Sequence, residues 1–322
     1  MRAVIITKSG GPEVLKLVDR PAPTPGPGQV RVRVQAAGLN RADILQRRGF
    51  YPAPSGAPPD IPGLEYAGEV DEVGPGVSLR NVGERVMGIV GGGACAEHLV
   101  VHERETIAIP DDIDTTDAAA IPEVFLTAFD ALQRQAKLQP GHQVLIHAVG
   151  SGVGTAALQL VKLAGGIAFG TTRSAWKLER CLDLDLPINT SYTPDFDSQV
   201  QKRGGADIVL DLVGAAYFER NLRALKPSGH IIIVGLLGGV NATIPLNLVL
   251  QRRISITGTA LRSRPIEEKI TLARLFEHRL SQHFSQKSLK PVVDRTFSMD
   301  DIQLAHTFMQ ENANFGKILL TW

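Results

Sequence analysis

The stretch that decides the fold spans residues 143–174 and reads QVLIHAVGSGVGTAALQLVKLAGGIAFGTTRS. It opens on an apolar run (143–148) and turns through Gly150, Gly152 and Gly154. Apolar residues then recur at helical spacing over 153–164, and a second short apolar run follows at 167–171. Strand, glycine turn, helix and strand make a βαβ unit, whose crossover requires the two strands to be parallel. Outward from it, strand-like runs recur at 207–211 (DIVLD), 230–234 (HIIIV) and 254–258 (ISITG), with helical stretches between them. The pattern predicts an α/β fold on a doubly wound parallel sheet.

Before about residue 121 the pattern is different. Short β-branched runs such as Val30-Arg31-Val32-Arg33-Val34 alternate in character between Pro and Gly punctuation, which predicts antiparallel strands in a barrel or sandwich. Two proline-rich stretches, 21–27 and 52–62, lack donors for a sheet ladder and are expected in loops or at strand edges. After residue 260 come a charged helical segment, a strand over 292–297, a helix over 302–311 and a last strand over 318–321.

At 322 residues, 43% hydrophobic and 21% charged, the chain has the material for about two domains with a buried core. A net charge of +1 is far from the basic excess that neutralising a phosphate backbone demands, so a nucleic-acid partner is not expected. Two cysteines cannot build a disulfide framework and fit a reducing compartment. The most apolar segment, 231–240, is broken by Gly235, Gly238 and Gly239, so no membrane span is expected. The start of the chain reads as a first strand rather than a leader, and the expected location is the cytoplasm.

The glycine turn carries chemistry. Ser151, Gly152, Val153 and Gly154 stand where a strand hands over to a helix, so the backbone can approach a pyrophosphate and the helix N-terminus presents unpaired N–H groups to it. A site selective for the non-phosphorylated dinucleotide places a carboxylate about 20 residues on, to hold the ribose hydroxyls. Here that region reads Thr171-Thr172-Arg173-Ser174-Ala175-Trp176-Lys177. Arg173 and Lys177 put cations where a 2′-phosphate would sit, which points to NADPH.

The metal reading finds little support. The one cluster to test is Cys95, Glu97, His98 and His102, and the alternation of a strand would turn Cys95 and Glu97 away from His98 and His102. No metal site is expected. No G-x-S-x-G elbow occurs, so nucleophilic hydrolysis has no motif either.

Several motifs together resemble a known family. They are Gly38-Leu39-Asn40-Arg41-Ala42-Asp43, Gly49-Phe50-Tyr51-Pro52, Pro62-Gly63-Leu64-Glu65, Leu126-Thr127-Ala128, the glycine turn with Gln159, Val234-Gly235-Leu236, Leu261-Arg262-Ser263-Arg264 and Asn314-Phe315-Gly316-Lys317. The chain resembles the zinc-free quinone oxidoreductases, the zeta-crystallin-like branch of the medium-chain dehydrogenase/reductase superfamily, and is most similar there to the tumour-suppressor-inducible type.

The resemblance implies a β-rich GroES-like barrel lobe from residues 1–120 and 260–322, acting as the catalytic domain. A Rossmann-type NADPH-binding domain over 121–259 would be inserted in it. It implies that Thr127, Gly235, Leu236, Leu237, Leu261 and Asn314 hold the nicotinamide half, with Arg262 and Lys317 completing the cofactor set. Tyr192 corresponds to a family tyrosine on the 2′-phosphate. Asn40, Asp43 and Tyr51 would line the substrate side, where Tyr51 can give a hydrogen bond or proton to the oxygen that gains charge.

The expected activity is NADPH-dependent hydride transfer to a quinone or similarly electron-poor acceptor, without zinc. Reduction of an enoyl thioester or 2-alkenal with Tyr51 as proton donor is the enzymatic alternative. An NADPH-binding crystallin-like or RNA-binding role is the alternative outside catalysis. The segment 244–258 (IPLNLVLQRRISITG), apolar and ending in a terminal strand, predicts a homodimer.

Overall fold

A computed structural model describes residues Met1–Trp322. In chain order its elements begin with β1 (Arg2–Ile6), β2 (Leu15–Asp19), β3 (Gln29–Leu39), α1 (Arg41–Arg47), β4 (Glu65–Val73), β5 (Arg85–Ile89), β6 (His98–His102), β7 (Ile107–Ala108), α2 (Thr115–Ala118) and α3 (Pro122–Phe129). There follow β8 (Gln143–Ile146), α4 (Gly152–Leu163), β9 (Ile167–Thr172), α5 (Ala175–Glu179), β10 (Leu186–Asn189), α6 (Phe196–Lys202), β11 (Ala206–Asp211), α7 (Ala215–Ala224), β12 (Leu225–Ile233), α8 (Leu246–Arg252) and β13 (Ser255–Gly258). The chain ends with α9 (Ile266–Ser285), β14 (Val293–Ser298), α10 (Ile302–Gln310) and β15 (Lys317–Thr321). Two compact units result, one of Met1–Leu126 with Leu261–Trp322, the other of Thr127–Ala260.

The Thr127–Ala260 unit is a six-stranded parallel sheet in the order β10-β9-β8-β11-β12-β13. Counted from β8 this is 3-2-1-4-5-6, the order of a dinucleotide-binding sheet, with its reversal between β8 and β11. The strands are apolar runs because helices cover both faces: Leu145, Phe169, Val209 and Ile231 are buried with Phe196 of α6 and Leu222 of α7. The glycine turn follows β8 directly, at the carboxyl end of the sheet beside the reversal. Its left-handed residue is Ala148 (φ +49°), not a glycine, at a cost of about 1–2 kcal/mol. The glycine requirement at 154 is one of space: a Cβ there would stand 2.5 Å from the Ala148 carbonyl and 2.6 Å from Val149 Cα. Helix and strand can close on each other only without it.

The other unit carries a seven-stranded sheet in the order β14-β15-β3-β4-β5-β7, with β6 also pairing β3, while β1 and β2 form a separate antiparallel pair. Only β14 and β15 run parallel to each other. In β3, Val30, Val32 and Val34 point inward against Val70, Val86, Leu99 and Val101, as period-two alternation requires. The register matters for function. Ile318 of β15 faces Leu39 of β3, and Ala37 faces Tyr66 of β4, so Lys317, Asn40 and Glu65 come to one end of three adjacent strands.

Candidate active site

In the Thr127–Ala260 unit the turn residues gather at the carboxyl ends of the strands. Ser151 caps α4, its Oγ accepting the Gly154 N–H at 3.1 Å, which leaves neighbouring N–H groups of the first turn free. Asp211, at the end of β11, accepts the Val213 and Gly214 N–H groups on one oxygen and Asn221 Nδ2 on the other. The Asn221 oxygen then faces His147 Nε2 at 2.7 Å, and His147 Nδ1 lies 2.8 Å from Thr171 Oγ1. Burial holds His147 below the usual imidazole range. A neutral ring therefore donates from Nε2 to Asn221 and accepts from Thr171. This chain ties the ends of β8, β9 and β11 together under the turn.

The loop Gly235-Leu236-Leu237 leaves β12 with the Val234 and Gly235 N–H groups on the Asp211 carbonyl, and Gly238 N–H on the Val213 carbonyl, which leaves Leu236 and Leu237 exposed. Arg173, just past β9, is exposed, and its carbonyl accepts the Ser191 hydroxyl at 3.0 Å. Lys177 is buried along its stem, with Nζ 5.2 Å from the centre of the Trp176 ring. Tyr192 is 83% exposed on the loop after β10. Thr127 is buried on α3. The turn, the cradle at Gly154 that a Cβ would fill and the cations past β9 suit a dinucleotide.

The remaining expected residues lie in the other unit, around Glu65. This carboxylate is 0% exposed. Its Oε1 accepts Lys317 Nζ at 2.5 Å and Asn40 Nδ2 at 2.9 Å, and its Oε2 accepts the Glu123 N–H at 2.8 Å. Lys317, 3% exposed, spends its other two hydrogens on the Leu39 carbonyl (2.9 Å) and Asn40 Oδ1 (2.8 Å). Asp43 accepts the Asn40 N–H at 2.8 Å and the Gly63 N–H at 3.0 Å. Burial pushes its carboxyl up to about 6 in spite of those donors. Gly63 sits at φ +99°, where a Cβ would also stand 2.6 Å from the Cys95 nitrogen.

Arg262 binds the Gly91 carbonyl, the Tyr51 carbonyl and Gln46 Oε1 at 2.7, 3.0 and 2.6 Å. Its guanidinium lies 4.9 Å from the centre of the Tyr51 ring, a cation–π contact that fixes the ring and leaves the hydroxyl without a partner. Burial raises the Tyr51 phenol above its ordinary value, with Glu123 the next cause. Leu261 is buried beside Arg262, and Asn314 closes its own turn on the Gly316 carbonyl at 2.7 Å.

Three residues with expected roles have contacts within this unit. Lys317 has all three hydrogens engaged with Glu65, Asn40 and the Leu39 carbonyl. Arg262 binds carbonyl and amide oxygens and stacks on Tyr51. Asp43 has both oxygens on backbone N–H groups and fixes the start of α1 to Gly63. Two acidic residues were missed as site candidates. Glu65 stood in a quoted motif without a role. Glu123, in the first turn of α3, looks in sequence like any acid that favours a helix N-terminus.

A zinc site does not fit these side chains. No group of three or more His, Cys, Asp and Glu could hold a metal ion. Glu97 pairs with Arg2, His98 Nε2 lies 3.2 Å from Asp71, and His102 Nδ1 accepts the Arg104 N–H. No helix is long and apolar enough to cross a membrane.

Comparison with known proteins agrees with this architecture. The family described as alcohol dehydrogenase GroES-like domain matches residues 26–111, and the one described as zinc-binding dehydrogenase matches residues 152–277. The human synaptic vesicle membrane protein VAT-1 homolog is 33% identical over 99% of this chain and 86% of its own. A quinone oxidoreductase of Pseudomonas syringae superposes with a TM-score of 0.89 at 28% identity, covering 100% of this chain and 99% of that one. A mycobacterial protein solved in complex with NADPH superposes at 0.87 with 27% identity, covering 100% of both chains. The chain belongs to the medium-chain dehydrogenase/reductase superfamily of nicotinamide-dependent oxidoreductases, in its quinone oxidoreductase-type branch.

Proposed function

We propose that this protein is an NADPH-dependent reductase of quinones or similarly electron-poor acceptors, working without zinc. The observation that carries the cofactor choice is the end of β9. Arg173 stands there exposed, and no carboxylate occurs from Thr171 to Lys177. A guanidinium forms charge-assisted hydrogen bonds with a 2′-phosphate, and Lys177 adds a second cation. The Ser191 hydroxyl donates to the Arg173 carbonyl and so ties the loop after β10 to that position, and the exposed Tyr192 follows it in the chain as a further donor. Ser151, Gly152, Val153 and Gly154 would hold the pyrophosphate, with Thr127, the 235–237 loop, Leu261 and Asn314 toward the nicotinamide. The bound cofactor supplies the hydride.

The chain's own groups then serve the acceptor. Tyr51, seated by Arg262, offers its hydroxyl to the oxygen that gains charge, while Asn40, whose amide hydrogens are held by Glu65 and the Gly38 carbonyl, would line the same side. The acceptor class rests on likeness to the Pseudomonas syringae quinone oxidoreductase. Two free, buried cysteines suit a reducing compartment such as the cytoplasm. β13 pairs only with β12, and exposed Leu246 and Leu250 on α8 lie just before it, which supports a homodimer built on that edge.

The test is Arg173→Ala with both cofactors, assayed against a panel of quinones, alkenals and enoyl thioesters. A single 2′-phosphate partner contributes roughly 1.5–3 kcal/mol, so NADPH affinity should fall by about 10- to 150-fold while NADH affinity holds. Equal loss for both cofactors would refute the assignment, and turnover confined to enoyl thioesters would move the chain to that class.

A further inference from the structure

Four side chains under the glycine turn are polar and enclosed: His147, Asp211 and Asn221 are 0% exposed and Thr171 is 1% exposed. The same strands otherwise bury apolar residues such as Leu145, Phe169 and Val209, so packing alone would favour aliphatic side chains here. Burying polar groups is unfavourable unless each is satisfied, and a satisfied set holds one geometry. In this set every side-chain nitrogen and oxygen has a partner. Asn221 Nδ2 donates to Asp211 Oδ2 at 3.0 Å, which turns Asn221 Oδ1 toward His147 Nε2 at 2.7 Å. Nε2 therefore carries the hydrogen, and Nδ1, 2.8 Å from Thr171 Oγ1, accepts the threonine hydroxyl.

The imidazole is also walled in. Phe196 of α6 and Tyr217 of α7 pack against it at steep angles, with ring centres 4.9 and 5.0 Å away. Tyr217 in turn donates its hydroxyl to Thr190 Oγ1 at 2.8 Å, at the start of the loop that holds Ser191 and Tyr192.

What hangs from the two ends of this network gives it a use. The Thr171 carbonyl accepts the Val149 N–H of the glycine turn at 3.0 Å, and Arg173 lies two residues further on. At the other end, Asp211 Oδ1 holds the Val213 and Gly214 N–H groups at 2.8 and 2.9 Å, and the Asp211 carbonyl holds those of Val234 and Gly235 at 2.8 and 3.2 Å. The loops assigned to the adenosine phosphate and to the nicotinamide thus hang from β9 and β11, which β8 separates in the sheet. His147, the residue after β8, bonds toward both.

We infer that His147 is a positioning residue of this site: its side chain fixes the spacing between the loops after β9 and β11, so that the seats for the two ends of a dinucleotide are held at the right separation before it binds. A ligand that occupies both loops gains from that preorganisation, and a ligand confined to one loop does not. The inference rests on the dinucleotide reading of the glycine turn and is independent of which acceptor is reduced.

The experiment uses the full chain. Thr171→Val keeps the shape of a strand residue and leaves His147 Nδ1 without its donor; Thr171→Ser keeps the hydroxyl and serves as the rescue. Calorimetric titration with NADPH, NADH and 2′,5′-ADP separates positioning from general damage. In Thr171→Val the affinities for NADPH and NADH should fall together by about five- to tenfold, while 2′,5′-ADP, which reaches only the β9 side, holds to within about twofold. Thr171→Ser should return both dinucleotides to the native level. An equal loss for all three ligands, or no loss, overturns the proposal and leaves the cofactor reading standing. Arg173→Ala gives a different pattern, weakening NADPH and 2′,5′-ADP and sparing NADH. A native chain that binds neither dinucleotide refutes the cofactor reading and the positioning role with it.

A second readout needs no ligand. In the cofactor-free chain, amide hydrogen exchange followed by NMR should show Val213 and Gly214 exchanging about five- to tenfold faster in Thr171→Val than in the native chain, although His147, Asn221 and Asp211 lie between them and Thr171. The 15N spectrum of the native chain should show the His147 ring, assigned by its shift in Thr171→Val, protonated at Nε2 and bare at Nδ1. Unchanged exchange at both amides, or the opposite tautomer, overturns the proposal.

Discussion

Replacing Lys317 by methionine keeps the length and most of the volume of the side chain and removes one charge and three hydrogen bonds. What it leaves behind sets the size of the effect. Glu65, fully buried, would retain Asn40 Nδ2 and the Glu123 N–H but lose the cation at 2.5 Å. Breaking a buried ion pair on one side costs about 3–5 kcal/mol, because the surviving charge stays desolvated. The Leu39 carbonyl and Asn40 Oδ1 lose a donor as well.

The chain has two tryptophans, Trp176 and Trp322, one in each unit. A Trp176→Phe background leaves Trp322 to report the unit that holds Glu65. In urea, with a slope of roughly 2–3 kcal/mol per M, the Trp322 transition of Lys317→Met should move down by about 1–2.5 M. Adding Glu65→Gln should recover at least half of the loss, since the stranded charge is then gone. A shift below about 0.3 M, or a double variant as unstable as the sum of its singles, would refute the reasoning.

Asp43 and Glu123 are both raised above their ordinary values, to about 6 and about 8. The stability they contribute is full below pH 4 and is lost as pH rises through those values, because the folded state binds more protons than the unfolded one. Glu123 alone accounts for about 1.4 kcal/mol between pH 7 and pH 9, so the urea midpoint should fall over that range in the native chain and hardly move in Glu123→Gln. Gly154→Ala drives a Cβ into the Ala148 carbonyl and should abolish dinucleotide binding, read by calorimetric titration with NADPH; unchanged affinity would contradict the cradle. Dialysis against a strong chelator should leave turnover intact, and stoichiometric zinc by metal analysis would sink the zinc-free reading. Light scattering should give twice 34.7 kDa for the native chain and the monomer for Leu246→Asp/Leu250→Asp; a native monomer would count against the dimer.

The α/β fold was legible because its signals are local. Strand runs buried on both faces, a helix repeat and a glycine turn are recorded in neighbouring residues, and the run from Gln143 to Thr172 appears in the structure as β8, α4 and β9. The glycine pattern pointed to close approach, and the structure adds that the left-handed residue is Ala148, a position that composition does not mark.

The acidic cluster was not legible in the same way. Asn40 and Glu65 are 25 residues apart, Glu65 and Glu123 are 58 apart, and Lys317 reaches Asn40 across 277. Each looks like a surface residue in its own window. The sequence by itself determined the parallel sheet, the dinucleotide turn and the cations after β9, because burial periodicity and turn chemistry act over a few residues. Only the tertiary structure decided that Lys317 binds Glu65, that Asp43 binds the backbone and that burial pushes the Glu123 carboxyl up. Those assignments follow from the register of β15 on β3 and of β3 on β4, and from the desolvation the packed unit imposes, neither of which any stretch of chain carries alone.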